Sequence, residues 1–543
     1  MDGNSDLEKQ GERDEKSLET SRVGSDKTSE IGETEALKRN LKNRHIQMIA
    51  IGGTIGTGLF LGSGSALATA GPISCLIAYL FVGTIVFSVM VSLGEMATYI
   101  PVAGSFTAYA SRFVSPTLGF AMGWIYWFSW AVTFALELTA SGLIIQYWDS
   151  TLNVGIWIGV FWFIFTAVNF LPVRAYGEAE FFFASIKVIT ILGFMIFAIC
   201  VDCGVGQQPY LGFHNWVHPG PFAPSLLEEV GNNVPLAKFI GFWSVLVQAG
   251  FSYQGTELVG IAAGETANPR KTMPSAIRKT FYRIIFLFCL TIFFIGLLVP
   301  YDNEELLTDS SNASASPLVI AAKLAGIKVL PSIINAVLLT AVLSAANSNV
   351  YSGSRIILAL SREGLAPAFF QRVTAGGVPY AAVAMTSAFG LLGFMNLSNN
   401  GGTVFNWFLN ITAVAGFITW ACINYCHIRF MRALHVRGMS RDALPYKAPF
   451  QPWAAYYGLF FNILIILTQG FTSFIPWDTE SFFIAYVSLI LFVVLAVGHW
   501  ALYRTKLVKL KDMDLDSGRR EVDAIVWDEP EPRNAWEKFW AWL

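Results

Sequence analysis

Polar and apolar positions along this chain fall into long blocks. Apolar runs of about 20 residues, the length that crosses a bilayer as a helix, recur about twelve times. They lie near 46–70, 73–98, 117–148, 154–171, 181–201, 237–262, 284–299, 332–360, 381–396, 404–428, 453–474 and 481–503. The pattern predicts an all-α polytopic membrane protein. Residues 1–42 are hydrophilic, lack the apolar core of a signal peptide, and read as a disordered tail. Residues 43–505 read as the transmembrane domain and 506–543 as a second tail.

Two runs are interrupted. The first contains Gly52-Gly53-Thr54-Ile55-Gly56-Thr57-Gly58, and the sixth contains Phe251-Ser252-Tyr253-Gln254-Gly255-Thr256-Glu257. A lipid-facing helix gains nothing by losing its regular hydrogen bonds, so broken backbone at that depth implies protein-lined space where it meets a solute. Breaks five spans apart suggest an internal duplication that brings both interruptions to the midplane, where helix amino ends receive a carboxylate and free carbonyls receive a cation. Tight packing through small residues is the competing reading of the first glycine cluster.

The distribution of charge sets the orientation. Arg112, Arg174, Arg270, Lys271, Arg278, Lys279, Arg283, Arg362, Arg372, Arg429, Arg432, Arg437, Arg441, Lys447 and Arg504 fall in alternate connections, together with Lys38, Arg39, Lys42 and Arg44 before the first run. The connection from Asp202 to Pro235 contains neither Lys nor Arg. The positive-inside rule then places both termini in the cytosol. Sequons at Asn312 and Asn396 fall on the opposite side.

Composition narrows the function. Hydrophobic residues make up 54% of the chain and charged ones 14%, with a net charge of −2. No broad basic field is present for nucleic acid. The six cysteines lie mostly in apolar runs and show neither disulfide nor metal spacing. No constellation of nucleophile, base and oxyanion donors lies outside the membrane, so an enzyme is not expected.

Candidate chemistry lies within the spans. Ser129, Thr133, Glu137 and Ser141 recur every four residues and form a polar stripe on the third helix. A carboxylate at Glu137's depth costs about 3 kcal/mol and is tolerated against a cavity or a partner. Glu137 and Glu257 read as the only deep acids near the breaks. Glu137 is the first choice as counter-charge to a cationic substrate, with an interhelical ion pair as the alternative. For Glu257 the alternative is a hydrogen-bond lock on the unwound backbone. Lys187 in the fifth run is either a proton-exchanging amine or a lysine snorkelling to the interface. Ser344, Asn347, Ser348, Asn349, Asn410 and Thr412 either line the same space or bond helix to helix.

From about Arg39 onward the chain resembles the fungal amino-acid permeases of the amino acid–polyamine–organocation superfamily. The resemblance rests on Gly53–Phe60, Ser92–Ala97, Phe251–Leu258, Glu265–Lys271 and Ser344–Asn349. Tyr126–Trp130, Thr133–Leu138 and Asn410–Thr412 look like the basic amino-acid branch. The resemblance implies a LeuT-type 5+5 inverted repeat with discontinuous helices 1 and 6 plus two extra helices. It implies a plasma-membrane symporter for L-arginine, with L-lysine also accepted, driven by the proton gradient without a cofactor. It also implies that Gly56, Thr57 and Gly58 hold the substrate carboxylate and that carbonyls of the Phe251, Tyr253 and Gln254 stretch hold the α-ammonium. Ser129 and Thr412 would tune side-chain preference, and Lys187 would replace the sodium ion of sodium-coupled cousins. Family habit makes Lys9, Lys16 and Lys27 acceptors for ubiquitin ligase machinery. An amino-acid sensor and a broad-range permease are the competing functions. The closing Phe539–Leu543 stretch reads as a segment resting on the bilayer or on the cytosolic loops.

Overall fold

The computed structural model describes residues 53–517, apart from 103, 150, 172–173, 262–268, 308–315, 375 and 398–400. The tail lysines, Asn312, most of Glu265–Lys271 and the Phe539–Leu543 stretch lie outside the described residues. We number the helices that match the apolar runs α1 Ser63–Ala70, α2 Pro72–Tyr99, α3 Pro116–Ile145, α4 Val154–Asn169, α5 Arg174–Asp202, α6 Val234–Tyr253, α7 Pro269–Leu298, α8 Leu330–Arg362, α9 Tyr380–Phe389, α10 Gly401–Val436, α11 Trp453–Thr468 and α12 Thr479–Tyr503. Ten helical stretches among the described residues are long and apolar enough to cross a membrane. The first and fourth runs are shorter apolar helices, Gly58–Ala70 and Val154–Asn169. Apart from one bridge between Phe474 and Trp477, no strand pairing occurs among the described residues.

The helix ends follow local chemistry. Ser115 Oγ accepts from Leu118 N at 3.2 Å, with Pro116 opening α3; Asn153 Oδ1 accepts from Gly155 N at 2.8 Å. Gly71, at φ +79°, makes the turn from α1 to α2, where a Cβ would come within 2.6 Å of Ala223 N. The helices differ sharply in enclosure. The apolar windows of α10 and α3 are 89% and 83% buried, whereas that of α12 is 11% buried. So α3 and α10 form the centre of the bundle, and α12 lies on its rim.

Interactions at the basic-loop end close the bundle. Arg441 forks onto Glu95 at 2.8 and 2.7 Å, and Ala448 N donates to the same carboxylate at 3.0 Å. Residues 506–517, the start of the expected second tail, lie as a strap across this end. Val508 N donates to Val114 O at 2.8 Å, Arg429 donates to Val508 O, Arg437 donates to Met513 O, and Arg112 pairs with Asp514 at 3.9 Å. Met513 and Leu515 are fully buried in the core. The backbone carbonyls of the strap thus satisfy arginines that the charge pattern alone reads as loop cations.

Glu363, just beyond α8, is mostly buried and its Oε2 has no partner. Burial pushes its pKa up to about 7, against the lowering pull of Arg112. Below that value the folded protein holds a proton that an unfolded chain, with the ordinary value of 4.5, has lost. Stability therefore falls as pH rises from 4.5 to about 7. The full shift corresponds to about 3 kcal/mol. Glu363→Gln is expected to flatten this dependence, read as a smaller drop in the Tm of detergent-solubilised protein between about pH 5 and about pH 8 than the parent shows.

Candidate substrate site

Both expected interruptions are present. The first run bends at Ile55 and Gly56 and resumes as a π-helical turn over Gly58–Gly62. The sixth leaves the helix at Gln254, passes Gly255 at φ +96°, and re-enters a helical turn at Leu258–Ile261. Glycine lets the two breaks touch. A Cβ on Gly255 would come within 3.1 Å of Gly53 O, and one on Gly58 within 2.9 Å of Phe251 Cδ1 and Ser252 Cα. Gly56 is different, since its Cβ would meet nothing closer than Ala345 Cβ at 3.8 Å and Glu137 Oε1 at 3.9 Å. It faces a space.

That space is a cavity of about 40 Å³ where the breaks meet α3 and α8. The first run contributes Gly53, Thr54 and Gly56 to Gly58; α3 contributes Trp130, Thr133 and Glu137; the sixth run contributes Phe251 and Gln254; α8 contributes Ala345 and Asn349. Thr57 Oγ1 donates to Glu137 Oε2, so one carboxylate oxygen is engaged while the other lies toward Gly56. Two buried polar atoms of lining residues, Gln254 Oε1 and Asn349 Nδ2, have no partner among the described residues. Each such orphan costs about 1–3 kcal/mol unless a guest satisfies it. The lining therefore offers a polar guest an N–H donor, an amide acceptor and a carboxylate oxygen.

The expected site residues divide into three groups. Gly56, Thr57, Gly58, Glu137, Phe251 and Gln254 line the cavity. Ser129 and Thr412 stand behind it. Gln254 Nε2 donates to Ser129 Oγ at 2.5 Å and to Thr412 O at 3.3 Å, while the Thr412 hydroxyl bonds back to Phe408 O at 2.8 Å. These two residues reach a guest through Gln254, whose amide they anchor. Tyr253 and Glu257 do not present side chains to the cavity; the expectation for Tyr253 concerned its backbone carbonyl, whereas for Glu257 it concerned the carboxylate, which is engaged elsewhere. Tyr253 donates to Tyr79 O at 3.2 Å and packs on Phe288. Glu257 accepts from Tyr126 Oη and Trp420 Nε1 at 3.1 Å each and from Gly255 N at 3.2 Å. It is the lock on the unwound backbone, the alternative reading of this acid.

Lys187 is fully buried, which excludes snorkelling, and the carboxylates whose charges act on it are Glu180 and Glu137. It stands outside the cavity lining. Ser141 and Asn347 serve the scaffold: Ser141 Oγ donates to Leu138 O, and Asn169 Nδ2 donates to Asn347 Oδ1. The Asn396 amide is engaged against α3, donating to Thr139 Oγ1 at 2.8 Å. Sequence reasoning missed Glu180, a third deep acid. Its spacing of seven from Lys187, two helical turns, was the available signal. It missed Trp130 as well, which sits one turn before Thr133 and two turns before Glu137.

Broken helices meeting at a cavity within an apolar bundle define a membrane transporter of the LeuT type. The fold is similar to that of a manganese transporter from Eremococcus coleocola, with a TM-score of 0.52 at 9% identity over 88% of this chain and 95% of that one. A sequence profile described as amino acid permease matches residues 45–512. The chain is 50% identical to the lysine-specific permease of Saccharomyces cerevisiae, covering 94% of this chain and 83% of that protein. It is 51% identical to the basic amino-acid permease of the same yeast, over 94% and 89%. It is 50% identical to a lysine/arginine permease of Candida albicans, over 94% and 90%. The chain belongs to the amino acid permease family. It is a transporter and not an enzyme.

Proposed function

We propose that this permease imports basic amino acids, L-arginine in preference to L-lysine, across the plasma membrane by symport with protons, with both termini in the cytosol. The observation that carries the substrate class is Glu137, a buried carboxylate with one oxygen left toward the cavity. A guanidinium or ammonium brought to that depth needs a counter-charge, and among the described residues Glu137 is the only acid in the lining. The names of the relatives, lysine-specific, basic amino-acid and lysine/arginine permease, agree with this reading. Amides at Gly56, Thr57 and Gly58 would take the substrate carboxylate, and carbonyls at the second break would take the α-ammonium. A cavity of about 40 Å³ has room for a few waters and not for an amino acid. Substrate entry therefore requires the helices to part, as alternating access demands.

Competition of radiolabelled arginine uptake tests the proposal. Unlabelled lysine is expected to compete, and leucine and glutamate to leave uptake unchanged. Equal competition by leucine would make the protein a broad-range permease. Arginine binding without accumulation would make it a sensor.

A further inference from the structure

The sequence leaves two readings of Asn410, lining the substrate space or bonding helix to helix, and the transport scheme above uses neither. Asn410 lines a second cavity. This cavity measures about 340 Å³ and lies at the end of the bundle opposite the basic loops, where α10 begins, α11 ends and α12 begins. Thr403, Asn406 and Asn410, three and four residues apart on one face of α10, supply one wall. Gln469 and Ser473 beyond α11, and Glu480 in the first turn of α12, supply the others. Its volume falls within the range of about 300–1,000 Å³ that small-molecule sites occupy.

The groups it leaves open are acceptors. The Glu480 carboxylate has no ion pair or hydrogen bond among the described residues; only its backbone N is engaged, donating to Asp478 Oδ1. Asp478 is occupied in capping α12, accepting from Glu480 N and Ser481 N at 3.2 Å each. Asn410 Nδ2 donates back to Asn406 O at 2.9 Å, which leaves the Asn410 side-chain carbonyl without a partner. Among the described residues no Lys, Arg or His lines the cavity, and residues 469–481 contain two acids and no Lys or Arg. A recess lined by one sign of charge concentrates ions of the other. A carboxylate beside an amide carbonyl matches a guest that brings a positive charge and several N–H donors, as a guanidinium or ammonium does.

The outer and central cavities share α10 as a wall. Two residues past Asn410, Thr412 O accepts from the Gln254 amide that lines the central cavity, and between them Ile411 O accepts from Ser488 of α12 at 2.7 Å. We propose that the outer cavity is a second, weaker binding site for the cationic amino acid, filled from the exterior while the central cavity is closed, with Glu480 as its counter-charge. This rests on the reading of the protein as an importer of basic amino acids with cytosolic termini. An acid in the first turn of a helix also offsets the helix dipole. Glu480 in that role alone would affect stability and leave binding untouched.

The test is saturation binding of radiolabelled arginine to the purified full chain, carried to millimolar concentration. The parent is expected to show a tight and a weak class of site. Glu137→Gln should remove the tight class and leave the weak one, which lysine displaces and citrulline, a neutral isostere of arginine, does not. Adding Glu480→Gln should weaken the remaining class by about 5-fold, the most that one solvent-facing ion pair contributes. If that variant fails to fold, Thr403→Lys places a cation at the exposed rim of the same cavity and should weaken the class by repulsion. A weak class unmoved by whichever variant folds, with or without a lower Tm, would overturn the inference, as would displacement by citrulline. A single class in the parent overturns this inference alone. A parent that binds no arginine overturns the substrate reading and this inference with it.

Discussion

Glu137→Gln is expected to abolish uptake of arginine and lysine at micromolar concentrations while leaving the protein folded and at the cell surface. Glutamine matches the shape of glutamate, and its carbonyl still accepts from Thr57, so the contact between the first break and α3 survives. What disappears is the negative charge facing the cavity. Leaving a desolvated cation unpaired costs about 3–5 kcal/mol, or roughly 100- to 4000-fold in affinity. The folded protein itself loses a buried charge, so stability should hold or improve. Binding of arginine to purified protein, read by a shift in Tm with ligand, checks this directly. Unchanged affinity would assign Glu137 to helix packing and leave the counter-charge without a residue.

Lys187→Met is expected to end accumulation of arginine against its gradient while sparing exchange of arginine for arginine. Methionine keeps an unbranched stem of similar reach in a fully enclosed position, so packing is disturbed little. It removes the fully buried amine. With no exchangeable proton there, the cycle would be driven only by the substrate's own gradient. Vesicles loaded with unlabelled arginine, followed with and without an imposed pH gradient, separate exchange from concentrative uptake. Undiminished accumulation under a pH gradient would remove Lys187 from coupling.

The interruptions were legible because glycine and polar residues inside an apolar run violate the rule that lipid-facing backbone stays helical. Glu137 was legible for the same reason, as a charge in an uncharged helix. The role of Glu257 was not, because its donors include Tyr126 on α3, Trp420 on α10 and the backbone of Gly255, and only tertiary packing brings them together. Glu180 was hidden by its neighbours: Arg174, Glu178 and Glu180 read as the polar rim of a span, and the depth of the last appears only once α5 is seated against α8. Ser129 and Thr412 were found as residues but not as parts. Spacing shows that they share the middle of the bundle, yet nothing in the sequence shows that Gln254 lies between them and the cavity.

The strap over residues 506–517 has a consequence for how the protein is made and handled. Met513 and Leu515 seal the inner floor of the bundle, and the arginines of earlier loops wait for strap carbonyls that leave the ribosome after every helix has been inserted. Closure of that floor therefore depends on a segment that follows α12 in the chain. Shortening the chain before Met513, or fusing a reporter upstream of it, would leave the floor unsealed with α1 through α12 all in place.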